Sequence, residues 1–168
     1  LLQKVLDDIL ADVPKEKIDE RISIFKRNMT SLHYDVMANP IGVKGIGKYE
    51  VKDEESSFSQ YKKGTPVHVK SAINYNSLID YWYEGKRYSK ITNGNKIKWV
   101  YLKENEFGFD SIAYKGYEDP PQILDMIKKY IDHSKMYEQA MSKKVGMFYK
   151  ALNWGGVEDV TTSMNRFF

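Results

Sequence analysis

The chain contains no cysteine, so neither a disulfide nor a thiolate metal site can be built on it. It has no apolar run near the roughly 20 residues a membrane span requires, and its first residues carry no signal-peptide pattern. The expectation is a soluble, intracellular chain. Its three histidines, His33, His68 and His133, stand far apart and have no ligand-spaced partner. Neither H-E-x-x-H nor G-x-S-x-G occurs. Internal repeats and low-complexity linkers are absent as well. Together these absences argue against an active site and for a binding role.

What is present bounds the rest. A length of 168 residues suits one ordinary domain with a real core. Thirteen tyrosines and three tryptophans are many, and suit a domain that packs aromatics and touches planar or polar partners. The net charge of +3 is unevenly spread: residues 56–150 carry sixteen Lys/Arg against ten Asp/Glu, a net of +6. There the lysines recur with aromatics between them, at Lys62, Lys63, Lys70, Lys86, Lys90, Lys96, Lys98 and Lys103. That is the footprint of a surface lying on a polyanion; the alternative is a solvated lysine-rich face.

Periodicity predicts an α+β fold, with helices from both ends of the chain packed together and a small antiparallel β element at the tip. Leu2, Val5, Leu6 and Ile9 mark a first helix. Pro14 opens a second, whose stripe is Ile18, Ile22, Phe25 and Met29. Residues 31–66 read as irregular. A third helix is expected over 67–82, with Ala72, Tyr75, Ile79 and Trp82 on one face. Asn93-Gly94 signals a hairpin turn, followed by an alternating strand over 96–103 and a second over 111–114. Asp119-Pro-Pro starts a helix with Ile123, Ile127, Tyr130 and Ile131 inward. Val145, Phe148, Tyr149 and Leu152 mark a last helix, stopped by Gly155-Gly156. Asp7-Asp8 and Glu118-Asp119 read as helix-surface and helix-start charges.

Two motifs carry chemistry. Gly42-Val-Lys-Gly-Ile-Gly-Lys48 has the spacing of a nucleotide phosphate loop, but Tyr49 stands where a magnesium-binding Ser or Thr belongs, and no apolar helical stripe follows. A mobile loop that presents Lys48 to something is the better reading. The second motif is the end of the chain, where Met164, Phe167 and Phe168 would project from one helical turn as a plug for a pocket on another protein. It resembles the clamp-binding peptide of replication proteins, with Thr161 at the usual glutamine position. A tail folded back on its own core is the alternative.

Several further stretches resemble the carboxyl-terminal thumb domain of T-even-type phage replicative DNA polymerases of family B. They are Leu32-His-Tyr-Asp-Val-Met-Ala38 with Ile46-Gly-Lys-Tyr49; Lys63-Gly-Thr-Pro-Val-His-Val-Lys70 running into a helix with Tyr75; Gly94-Asn-Lys-Ile97 with Glu104-Asn-Glu-Phe-Gly108 and Ile112-Ala-Tyr114; and Tyr130-Ile-Asp-His-Ser134 with Lys143 beyond. Their order and approximate spacing are kept along the chain. The resemblance implies a thumb-like domain over 1–157 and a sliding-clamp-binding tail over 158–168. It implies that the thumb holds the primer–template duplex by its phosphates without reading sequence, with Lys48, Lys63, His68, Lys70, Lys96 and Lys143 as the DNA contacts. Lys70 replaces an arginine of the relatives, a lysine expected near Ser111 is missing, and Arg166 stands where an aromatic is usual.

The carboxylate motifs of the polymerase palm and exonuclease do not occur, so the chain alone is expected not to polymerise. No cofactor is expected on it, magnesium belonging to a palm elsewhere. As the sequence does not open on methionine, it reads as an excised thumb or as the small product of a split gene. In the latter case the first helix would dock on a separate palm subunit. The compartment implied is the cytoplasm of a bacterial host. The other function class left open is a protein–protein interaction module with no nucleic-acid role.

Overall fold

The computed structural model describes residues 1–82 and 84–157; the proposed plug residues Met164, Phe167 and Phe168 lie outside them. The fold is α+β: helices with a small antiparallel three-stranded sheet and a two-stranded one. Its contacts divide the chain into two compact units, one over His33–Asp132 and one joining Leu1–Leu32 to the segment from His133. No helix among the described residues is long and apolar enough to cross a membrane.

The terminal unit begins with helices α1 (Leu2–Leu10) and α2 (Lys15–Met29), Pro14 preceding the latter as its cap residue. From the other end come α7 (His133–Tyr137), a π-helical turn (Glu138–Ser142) and α8 (Lys143–Ala151). α1 packs on α8, and α2 on α7. Val5, Ile18, Ile22, Met136, Tyr137, Val145 and Tyr149 form the core. The stripe of α1 is only partly covered: Val5 is buried, Leu2, Leu6 and Ile9 are half-buried, and Leu10 is 75% exposed.

Asp8, expected as a helix-surface charge, and Asp19, to which the sequence gave no role, are internal ties. Asp8 is buried and pairs with Arg21 and, at 3.0 Å, with Lys4. Asp19, also buried, accepts the Tyr149 hydroxyl at 2.6 Å and the Lys15 ammonium at 2.5 Å. A buried carboxylate is tolerable when its lone pairs are met in this way. Lys15 also donates to the Gly156 carbonyl at 3.2 Å. The last helix does not run to Gly155-Gly156: it ends at Ala151, Asn153 takes a left-handed φ of 54°, and Leu152 is 40% exposed rather than inward. Asparagine tolerates that conformation better than most residues, so the chain turns two residues before the glycines.

The central unit is built around α5 (Val67–Tyr81), which packs on strand β5 (Ser111–Tyr114) and on β4 (Lys96–Tyr101). Sequence periodicity gave α5 one inward face. Instead Val69 and every residue from Ser71 to Ile79 are buried. Its polar residues are accommodated by specific bonds: Asn74 donates to the Ser111 carbonyl at 2.8 Å, and Ser77 accepts the Ser59 N–H at 3.1 Å. Asn76 both donates to the Ile91 carbonyl (2.9 Å) and accepts the Ile91 N–H (2.7 Å). These pairings let a helix without a strong polar stripe sit inside the unit.

Asn93-Gly94 does make a turn, closed by the Asn95 N–H on the Thr92 carbonyl, with Gly94 at φ 93°. It does not make a hairpin. The partner of β4 on that side is β1 (Ile41–Gly42), with Gly42 opposite Lys96; β5 pairs along the other edge, with Trp99 opposite Ala113. All four β5 residues are buried, so that strand is covered on both faces and loses strict inside–outside alternation, whereas both β1 residues are exposed. Helix α6 (Pro121–Tyr130) follows, burying Ile123, Met126 and Ile127, with Ile131 buried just beyond it. The segment over 31–66 that read as irregular holds α3 (Tyr34–Met37), β1, α4 (Ile46–Tyr49) and the paired β2 (Glu50–Val51) and β3 (Gln60–Tyr61). Elements of two to four residues are too short to leave a periodicity.

Candidate nucleic-acid interface

The glycine-rich segment is anchored on both sides. Val43 exchanges backbone bonds with the 93–95 turn: its N–H reaches the Asn95 carbonyl at 3.0 Å, and its carbonyl accepts the Gly94 N–H at 2.8 Å. Val43 and Ile46 are buried. Gly45 starts α4 at φ 84°, a left-handed conformation that side-chain-bearing residues rarely adopt, so glycine is favoured there. The Ile46 N–H, which a phosphate loop would offer to its ligand, is taken by Asn93 Oδ1 at 3.1 Å. α4 is one turn long. This is an ordered platform for lysines rather than a phosphate cradle.

On that platform Lys48 is exposed, its ammonium 5.1 Å from the Tyr49 ring. Lys62 is tied beside it: its N–H reaches the Tyr49 carbonyl at 3.0 Å, and its Nζ donates to the Lys48 carbonyl at 2.8 Å. Lys63 follows, exposed. Lys44 is exposed on the same segment as Lys48, and exposed Lys96 lies across from Gly42 in the β1–β4 register. None of these five meets a carboxylate within salt-bridge distance among the described residues. An ammonium has three donors, so even Lys62 keeps capacity for a phosphate.

The remaining nominated contacts differ. Lys70 is engaged: it pairs with Asp110 at 3.0 Å and stands 5.0 Å from the Tyr61 ring. His68 is half-buried in the first turn of α5, and burial pushes its imidazole below the usual histidine range. It is therefore neutral at pH 7 and brings no charge to a phosphate. Lys143, exposed at the start of α8 and donating to Gln139 at 3.2 Å, belongs to the terminal unit. The nominated residues thus separate into an open group (Lys48, Lys63, Lys96), an engaged Lys70, a half-buried His68 and one on the other unit.

The depressed pKa of His68 has a consequence for stability. The unfolded chain takes up a proton at His68 near pH 6.5, whereas the folded chain resists it until lower pH. Stability is therefore full above about pH 6.5 and falls as pH drops toward the folded value, where the loss stops. Urea midpoints are expected to fall between pH 7.5 and 5.5, and His68→Gln is expected to reduce that fall. An equal fall in the variant would refute the assignment.

Charge also divides differently in space than along the chain. His33–Asp132 holds fifteen Lys/Arg against fourteen Asp/Glu, a net of +1, because Asp53, Glu54 and Glu55 join the central unit while Lys135, Lys143, Lys144 and Lys150 leave it. The basic character is local, not general. Of those fifteen cations only Arg87 is an arginine. The sequence reading named Lys62 among the recurring lysines but gave it no contact, and it passed over Lys44. Lys62 is linked to Lys48 by its ammonium on the Lys48 carbonyl, fourteen residues away, a tie that no spacing rule exposes. Also unforeseen was the cluster of Phe58, Tyr81, Trp82, Phe107 and Phe109, whose neighbouring rings lie 5.1–6.1 Å apart. The high aromatic count was its only trace.

Among the described residues no group of three or more His, Cys, Asp or Glu side chains is placed to hold a metal ion. No protein-family model matches the chain, and no curated protein matches it in sequence.

Proposed function

We propose that this chain is the thumb portion of a family B DNA-directed DNA polymerase, which grips the primer–template duplex by its phosphates and tethers it to a sliding clamp through its last residues. One observation carries the proposal: Lys44, Lys48, Lys62, Lys63 and Lys96 stand exposed on hydrogen-bonded segments and meet no carboxylate among the described residues. An ammonium is a point charge on a flexible stem, whereas guanidinium fixes geometry by its fork. Phosphate contacts of the first kind hold a duplex without encoding its sequence. They also let it advance one step at a time, as a polymerase requires.

The test is fluorescence anisotropy of the full chain at low salt, with duplexes of unrelated sequence. Dissociation constants are expected to agree within about twofold, since phosphate contacts carry no base information. Phe167→Ala with Phe168→Ala is expected to leave them unchanged and to abolish capture by a sliding clamp. A strong preference for one sequence would overturn the duplex-grip reading. Absence of any duplex binding would favour a protein–protein interaction module instead. Simultaneous loss of clamp and duplex binding would sink the division of labour.

A further inference from the structure

A second site lies in the central unit, independent of the duplex reading. A cavity of about 360 Å³ opens between the start of α3, the end of β5 and the loop that follows it. Aromatic rings border it: half-buried Tyr34 stands edge to face on the buried Tyr114 with centroids 5.3 Å apart, and Tyr117, 61% exposed, stands at the rim. Three carboxylates line it, Asp35, Glu118 and Asp119, and no lysine or arginine does.

The charges of these carboxylates are unequally spent. Asp35 is met by Lys98 at 2.9 Å and accepts the Tyr114 hydroxyl at 3.0 Å; the Lys98 bond is the main reason its carboxyl is held below the usual range. Asp119 accepts the backbone amides of Lys115 (2.9 Å) and Gly116 (2.7 Å) and faces the Tyr75 hydroxyl, whose pKa it helps burial to raise. Amides satisfy lone pairs without cancelling charge. Glu118 is exposed, has no hydrogen-bond or ion-pair partner among the described residues, and is held at a φ of 49°. Lys115, on the same loop, sends its ammonium to Ser89 at 2.9 Å and holds it 5.4 Å from the centre of the Tyr117 ring, so a second cation has the other face of that ring. The Tyr34 hydroxyl registers the result: burial first, then Asp35 and Asp119, push its pKa up.

A cavity bordered by aromatic rings and carrying surplus negative charge selects a cation with a flat, weakly hydrated body. Guanidinium meets both demands, because it stacks on an aromatic face while its edge donates to carboxylates. A compact ammonium holds its water more tightly. The duplex is excluded as occupant, since phosphate and these carboxylates repel. We propose that this cavity docks an arginine side chain presented by a partner polypeptide, its guanidinium against Tyr34 and Tyr117 and its N–H groups on Glu118 and Asp119.

The test is an NMR titration of the full chain with the peptide acetyl-Gly-Arg-Gly-amide, and with the same peptide carrying citrulline or lysine. The arginine peptide is expected to shift the ring signals of Tyr34 and Tyr117. Citrulline, neutral and nearly isosteric, is expected to shift neither, and lysine to bind more weakly. Tyr117→Ala and Glu118→Gln are each expected to weaken the arginine peptide about two- to fivefold. Both residues are exposed, so the fold is not at stake, and Glu118→Gly, which suits the positive φ, gives a second check on the carboxylate. Equal shifts with citrulline would overturn the charge argument, and equal affinity for lysine the choice of guanidinium. Unchanged affinity in both Glu118 variants and in Tyr117→Ala would remove the site altogether.

Discussion

Raising the salt concentration from 50 to 200 mM is expected to weaken duplex binding by this chain about 500-fold. The figure follows from counterion release. Each phosphate neutralised contributes about −0.9 to the slope of log affinity on log salt, so five lysines give a slope of about −4.5. Lys44, Lys48, Lys62, Lys63 and Lys96 are the five, since each is exposed and meets no carboxylate among the described residues. Replacing Lys48, Lys63 and Lys96 together by alanine is expected to flatten the slope to about −1.8, leaving only about a tenfold loss over the same range. Lys70→Ala is expected to matter less, because Asp110 already opposes that ammonium at 3.0 Å. The measurement is an anisotropy titration at four or five salt concentrations for parent and variants. A flat salt dependence in the parent would end the phosphate-grip proposal. A parental slope retained in the triple variant would move the grip to other cations.

Asn76→Leu is expected to destabilise the protein by about 2–4 kcal/mol. The asparagine is 8% exposed and satisfies both backbone groups of Ile91, itself buried, at 2.7 and 2.9 Å. Leucine is close in volume, so no large cavity opens; the cost comes from two buried polar groups left without partners, roughly 1–3 kcal/mol each. That is a large share of the roughly 5–15 kcal/mol that holds an ordinary domain together. Urea unfolding followed by tryptophan fluorescence measures it. Asn74→Leu, which frees only the Ser111 carbonyl, is expected to cost about half as much. A loss below about 1 kcal/mol for Asn76→Leu would show that the Ile91 backbone reaches water once the side chain is gone. Because the 92–95 turn and Lys96 follow directly on Ile91, the proposed duplex binding is expected to weaken with the same substitution.

The long elements were legible because their signals are local. α2, α5, β4, β5 and α6 stand close to where periodicity and proline placed them, as expected when a stripe of Ile18 and Ile22, or of Ile123 and Ile127, has only one way to leave water. The short elements between residues 33 and 62 were not legible. Two- and four-residue pieces carry no period, and what holds them is pairing with distant segments: Gly42 with Lys96, Val43 with Asn95, Ile46 with Asn93. Asn93-Gly94 signalled its turn correctly, yet the turn serves β1 and not an adjacent hairpin strand, because partner choice is a property of the folded unit. The nominated lysines were legible as charges. Which of them are free was not, since Asp110 lies forty residues from Lys70 and the aromatic cavity gathers residues from two ends of the central unit.

The sequence by itself determined the class of this protein: an α+β chain without cysteine, carrying lysines and aromatics where a catalytic constellation would otherwise be sought. Composition and period settle these matters because each residue contributes without reference to distant neighbours. Only the tertiary structure decided which ammonium groups remain open, that the glycine-rich loop is pinned through Asn93 and Ile46, and that Asp8 and Asp19 are buried ties. Those outcomes depend on which charge meets which across the fold, and a carboxylate or an amide acts on a lysine only through space.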